Sequence, residues 1–204
     1  MKCLLPAALL AAMLMMTGHV ASASELLDKV AKQVTDSAVV RGNFVQTREL
    51  VGVKKPLKSE GRFVVDKQRG VVWQTARPFN NKLRISRQEI VQKDGDQVLM
   101  RMSADKEPAV KTVGSVLFAL FAGDFATLER YFNVSGEAGN NGWQLQLTPR
   151  DAALGKLIGK LALDGGKTIA HVRLEGGSGD ITRIDLKEVV NSDRLSASEA
   201  ADFD

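Results

Sequence analysis

From Val39 onward the apolar residues recur at every second position, in short runs broken by turn-forming residues. That period places alternate side chains on opposite faces of an extended strand, so the chain is committed to β-sheet over most of its length. The runs are Asn43–Thr47, Gly61–Asp66, Val71–Thr75, Lys82–Ser86, Gln88–Lys93 and Gln97–Met102, with Asp94-Gly95 as a two-residue hairpin signal. A second set follows at Trp143–Leu147, Leu157–Leu163, Thr168–Leu174 and Ile181–Val189. Many short strands at near-regular spacing describe a sheet, a sandwich or a barrel.

Two segments break the pattern. Leu26, Leu27, Val30 and Val34 share one face of a helix predicted over Ser24 to Thr35, with Ser24 as its cap. Val110, Val113, Leu117, Leu120 and Phe121 recur at helical spacing, and Val116, Phe118 and Ala119 make that segment apolar nearly all round. Such a helix has to be buried. It is too short for the ~20 residues of a membrane span. It is either a core helix or a lid with one face on a ligand.

Ahead of these, Lys2, the apolar run Leu4–Met16 and Ala21-Ser22-Ala23 have the form of a secretory signal peptide over residues 1–23. Residues 24–204 are then expected to form a single domain without a linker. Cys3, the sole cysteine, leaves with the leader, so the mature protein has no disulfide and rests on its core alone. Removal of Lys2 lowers the formal charge from +4 to +3, too little to argue for a nucleic-acid partner.

The residues that would carry catalysis are sparse. With His19 in the leader, His171 is the one histidine of the mature chain, and its parity opposite Val172 and Leu174 turns it to solvent. That leaves no thiol–imidazole pair and no histidine-rich zinc site. Gly176–Asp180 is glycine-rich, but a strand follows it where a phosphate loop needs a helix, so it reads as a hairpin. Asp164 with Glu175 and Asp180 with Asp185 read as solvated surface charges, and Lys54-Lys55-Pro56-Leu57-Lys58 as a solvated loop. No cofactor or metal is expected.

What remains is apolar surface. Phe44, Phe63, Val65, Val71, Trp73, Leu83, Ile85, Trp143, Leu145 and Leu147 are candidates for one concave face. Composition does not distinguish a filled interior from a hollow one.

Gly42-Asn43-Phe44-Val45-Gln46-Thr47, then Ser59-Glu60-Gly61-Arg62-Phe63, then Trp73 and Pro78, resemble the opening signature of the periplasmic outer-membrane lipoprotein carrier family, LolA. Leu145-x-Leu147-Thr148-Pro149 and the hairpin through Gly179-Asp180-x-Thr182 resemble its C-terminal half, so the likeness covers nearly all of the mature chain. The resemblance implies an incomplete, half-open antiparallel β-barrel, closed by an N-terminal helix and a central helical lid. It also implies an apolar cavity for lipoprotein acyl chains, an inner-membrane transporter that loads it, and an outer-membrane acceptor. The expected cavity residues are Phe44, Phe63, Val65, Val71, Trp73, Leu83, Ile85, Leu117, Phe121, Trp143 and Leu145, with either Lys67 or Arg69 as the lid latch.

The sequence departs from the family at three places. The basic-residue–proline pair before the tryptophan is replaced by Lys67-Gln68, the Asp-Gly-aromatic stretch by Arg87-Gln88-Glu89-Ile90, and the sequence ends at Phe203-Asp204 without a proline-rich extension. The expectation is therefore a monomeric, non-enzymatic periplasmic carrier of acylated lipoprotein. The alternatives are a paralogue carrying a glycolipid or other amphiphile, and a filled-core module that binds an envelope protein.

Overall fold

The computed structural model describes residues 23–122 and 124–204. The proposed leader, apart from Ala23, lies outside them. The chain order begins with α1 (Ala23–Gln33), then β1 (Val39–Glu49), β2 (Leu57–Asp66), β3 (Gly70–Arg77), β4 (Asn81–Ile85), β5 (Glu89–Asp94) and β6 (Gln97–Ser103). Two helices follow, α2 (Pro108–Ala122) and α3 (Phe125–Tyr131). The second half holds β7 (Phe132–Gly139), β8 (Gly142–Pro149), α4 (Ala152–Leu157), β9 (Lys160–Gly165), β10 (Ile169–Glu175), β11 (Ile181–Ser192) and α5 (Ala197–Ala201).

All eleven strands form one antiparallel sheet in the order β6-β5-β4-β3-β2-β1-β11-β10-β9-β8-β7. Among the described residues the one pair of neighbouring strands not consecutive in sequence is β1 and β11, while β6 and β7, linked in sequence by α2 and α3, are the two edges. The sheet is thus an open barrel wall, as the period-two pattern and the resemblance led us to expect.

Alternation sorts the side chains as the pleat requires. On β2 and β3, Phe63, Val65 and Val71 are buried on the inner face beside Trp73. Val64 and Val72 point the other way and pack with Val39 and Phe203 on the outer face. The C-terminal segment is tied there by Arg41 to Glu199 at 2.8 Å and by Arg84, which donates to the Phe203 carbonyl at 3.0 Å. A capping box between Ser196 and Glu199 forms the short α5.

Two sequence expectations are corrected. The run Leu157–Leu163 is not one strand: Asp151 accepts a hydrogen bond from the Leu154 amide at 2.8 Å and caps α4, and β9 begins only at Lys160. Ser24 does not cap α1, because the helix already includes Ala23. Helices α3 and α5 and strand β7 have no counterpart among the segments expected from sequence. Asp124 caps α3 by accepting from the Thr127 amide at 3.0 Å.

The filled part of the interior lies under β7–β10. There α1 contributes Leu26, Leu27 and Val30, α2 contributes Val116 and Leu120, and α3 contributes Phe125 and Leu128. They cover Trp143, Leu145, Leu147, Leu161 and Leu163. The other half of the inner face, on β1–β4, carries a separate cluster around Phe44, Phe63 and Trp73.

Candidate functional site

Between these two clusters lies a cavity of about 400 Å³. Its walls come from strands far apart in the sheet order: Val71, Trp73, Leu83 and Ile85 on β3 and β4, against Leu161, Val172, Leu174, Ile184 and Leu186 on β9–β11. Strands so distant can face one space only because the sheet curls. Val113, Val116, Leu117 and Leu120 of α2 close one side, and Leu157 and Ile158 stand at the end of α4. The polar members are Gln46 and Arg48 on β1 and Thr182 on β11, near the ends of those strands. A few polar groups on an otherwise apolar concave lining is the usual make-up of a small-molecule site.

Trp73 is placed by stacking. Its ring lies on Phe44 with centroids 3.9 Å apart and planes inclined by 24°, and on Phe63 at 5.8 Å and 25°. Phe44 and Phe63 are each 1% exposed and form the backing of the wall, whereas Trp73 is half-buried and presents a face to the cavity. Aromatic stacking contributes to holding a ring beyond its area burial.

The lid helix is seated on the β4–β5 side. The Arg87 guanidinium lies over the Phe118 ring, 5.1 Å from its centroid. A Cβ on Gly114 would come within 3.0 Å of the Ser86 carbonyl oxygen, so a glycine there lets the helix approach the β4–β5 turn closely. Helix α2 also packs on α3.

A half-open sheet with an apolar cavity between its wall and a lid is the architecture that the opening motifs imply. The family model described as outer membrane lipoprotein carrier protein LolA-like matches residues 20–192. The chain belongs to this family. No curated protein matches the sequence. Among solved structures, a LolA superfamily protein from Nitrosomonas europaea is similar at 11% identity and TM-score 0.45, over 85% of this chain and 94% of that one. A DUF1329 family protein from Desulfovibrio piger is similar at 14% identity and TM-score 0.48, over 86% and 95%. The MucA/MucB complex of Pseudomonas aeruginosa provides a further match at 16% identity and TM-score 0.39, over 88% of this chain and 60% of that one.

LolA-like proteins are carriers rather than enzymes. Among the described residues no cluster of three His, Cys, Asp or Glu side chains has the geometry of a metal site. His171 faces solvent, as its parity predicts, and its Nδ1 stands 2.6 Å from Asp164 Oδ2. The hydrogen bond to Asp164 holds the imidazole above its ordinary pKa, with the charges of Asp164 and Asp185 adding to the effect and burial opposing it.

Of the residues named from sequence, Val71, Trp73, Leu83, Ile85 and Leu117 are on the cavity lining of this LolA-like chain. Phe44, Phe63 and Val65 lie in the cluster behind it. Trp143 and Leu145 are elsewhere, packed in the filled half. Trp143 donates from Nε1 to the Gly166 carbonyl at 2.9 Å and meets Phe125 edge-on at 6.4 Å. The side chain of Phe121 lies outside the described residues.

Among the described residues neither expected latch residue forms a hydrogen bond or ion pair with α2. Lys67 pairs with Asp36, while Arg69 donates to the Ala200 carbonyl at 3.2 Å and lies 3.8 Å from Asp204. The cause is the β2–β3 turn, where the Asp66 carboxylate accepts from the Gln68 and Arg69 amides, each at 2.8 Å. The turn lies beside α2, where Lys67 and Leu120 line one small pocket and a Cβ on Gly70 would lie 3.2 Å from the Phe118 ring, but the charged groups bond elsewhere. Arg87 meets the lid, in a stretch where the sequence departs from the family pattern. Residues 172, 174, 184 and 186 also escaped the site reading, although their parity alone places each pair on one face.

Proposed function

We propose that this protein is a non-catalytic, monomeric carrier of the periplasm. It shelters the acyl chains of a lipoprotein in its cavity, receives them from an inner-membrane transporter and passes them to an outer-membrane acceptor. The observation that carries this reading is the apolar cavity between Trp73 and the β9–β11 wall, under α2. A packed interior would leave no room for cargo, and a filled-core interaction module would need no such space. Membership of the LolA-like family supports the same assignment.

The chemistry favours shelter over catalysis. Each buried methylene is worth about 0.8 kcal/mol, so an acylated protein needs a continuous apolar lining to leave a bilayer and cross water. In this reading Val71, Trp73, Leu83, Ile85 and Leu117 touch the acyl chains. Phe44, Phe63 and Val65 hold the tryptophan in place, and Arg87 on Phe118 steadies the lid.

Native mass spectrometry with lipid extraction, on protein purified from its own periplasm, tests the proposal. An acylated species bound to the unsubstituted protein, and weakened in Trp73→Asp, supports it, and the bound mass distinguishes lipoprotein from another amphiphile. A ligand-free mass, with no uptake of added lipid, returns the filled-core reading.

A further inference from the structure

One end of the sheet has a surface that cavity and family leave unexplained. The strand register brings several connections together there: Arg48 pairs with Leu57, Glu49 with Ile181, Glu60 with Arg77, and Glu175 with Lys160. The β1–β2 loop (residues 50–56), the β3–β4 turn (78–80), the β10–β11 turn (176–180) and α4 are therefore neighbours on one rim. The β1–β2 loop touches the β10–β11 turn, and that turn touches α4. The Val51 amide donates to Asp180 Oδ1 at 2.9 Å, and a Cβ on Gly177 would lie 3.4 Å from the Gly155 carbonyl of α4.

This rim exposes large apolar side chains at the tips of its loops. Phe79 is 79% exposed and Val51 70%, with Val53, Leu57 and Leu157 also exposed. A solvated loop has no need of a phenylalanine at its tip, and clustered apolar tips mark an interaction site. Between them stand Lys54, Lys55, Lys58, Lys156 and Lys160, all exposed, and among the described residues none of these five forms an ion pair. Of the rim acids, Glu49, Glu60 and Glu175 are each paired with an arginine (Arg183, Arg77 and Arg173), Asp180 accepts from the Val51 amide, and Asp151 caps α4. The free charge of the loop and of α4 is thus positive. The polar members of the cavity lining, Gln46, Arg48 and Thr182, are at this same end.

We propose that this rim docks on the surface of an anionic phospholipid bilayer. Phe79, Val51 and Val53 enter the interface, while Lys54, Lys55, Lys58 and Lys156 meet lipid phosphates. The two signals are needed together, because a small apolar insertion or a basic patch alone gives only weak, reversible membrane attachment. Among the described residues no helix is long and apolar enough to cross a membrane. Docking brings the polar end of the cavity to the lipid surface. The surface needs no ligand in the cavity, and so stands apart from the carrier reading.

Co-sedimentation with vesicles tests this. The periplasmic form of the protein should pellet with phosphatidylethanolamine–phosphatidylglycerol vesicles, less with phosphatidylcholine vesicles, and less again as salt is raised. Phe79→Ser should lower the partition coefficient roughly tenfold, and the pair Lys54→Glu with Lys55→Glu by about tenfold or more. Both sites are exposed, so folding is not at stake, and Leu99→Ser on the β6 edge should change nothing. Equal binding by these variants, or no pelleting at all, overturns the proposal and points to a protein partner for the rim. Uptake of bis-ANS, read on the same samples, separates the two readings. Dye uptake without vesicle binding removes the docking alone, and vesicle binding without uptake removes the carrier alone.

Discussion

Phe44 on β1 and Trp73 on β3 meet ring to ring, 3.9 Å between centroids, although β2 runs between their strands. The register explains how: the residue of β2 opposite Phe44 is Gly61, which has no side chain to keep the rings apart. The stack fixes one wall of the cavity. Phe44→Ala should therefore cost about 3–5 kcal/mol, the usual range for deleting a buried aromatic ring. Urea unfolding followed by circular dichroism measures this, and a cost below 1 kcal/mol would mean that the stack is incidental.

Gly61 has a second constraint. A Cβ there would lie 1.9 Å from the Gln74 carbonyl oxygen, beside the bulge between Glu60 and Gly61 in the β2–β3 ladder. Gly61→Ala has to push β3 away and tilt Trp73 with it. We expect a loss of about 1–3 kcal/mol from overpacking, with a shift in tryptophan near-ultraviolet circular dichroism. An unchanged spectrum and midpoint would contradict the close approach.

These two positions show how much was legible beforehand. Phe44, Gly61 and Trp73 stand out in the sequence, and alternation correctly puts Phe63, Val65 and Val71 on one face, because a strand's period is a local property. What covers a face is not local. Trp143 and Leu145 have the same alternation as Val71 and Trp73, yet α1 and α3 fill the space above them while the β3–β4 wall stays open. Leu157–Leu163 was misread because a short apolar run suits a strand and a helix end alike, and only the Asp151 cap decides between them. The partners of the two expected latch residues were not legible either, because ungapped spacing does not contain the Asp66 turn that sets Lys67 on Asp36 and Arg69 on Ala200 and Asp204.

The lid contact makes a kinetic prediction. A cation–π pair at a partly exposed site is worth about 0.5–1 kcal/mol, so Arg87→Ala should speed bis-ANS entry roughly two- to fivefold. Arg87→Lys should fall between. Stopped-flow fluorescence gives the rates, and an unchanged rate in Arg87→Ala would show that α2 is held by packing at Gly114 and Phe118 alone.

His171 makes a pH prediction. Its pKa is raised in the folded state by Asp164, so the pair's contribution to stability is complete below about pH 6.5, the unfolded value. It is lost as pH rises through the higher folded value. Proton NMR of this histidine should show a midpoint above 6.5 that falls in Asp164→Asn. The ring is largely exposed, so the change in stability across that window should be small.

The central claim is that acyl chains occupy the space beside Trp73, and the two tryptophans of the chain permit a direct test. Trp73 faces the cavity, whereas Trp143 is 2% exposed in the filled half and hydrogen-bonded to Gly166. A brominated acyl lipid, titrated into Trp143→Phe and Trp73→Phe separately, reports contact with one ring at a time. The account predicts strong, saturable quenching of Trp73 and little quenching of Trp143. Equal quenching of both, or quenching of Trp143 alone, would place the lipid elsewhere and contradict it.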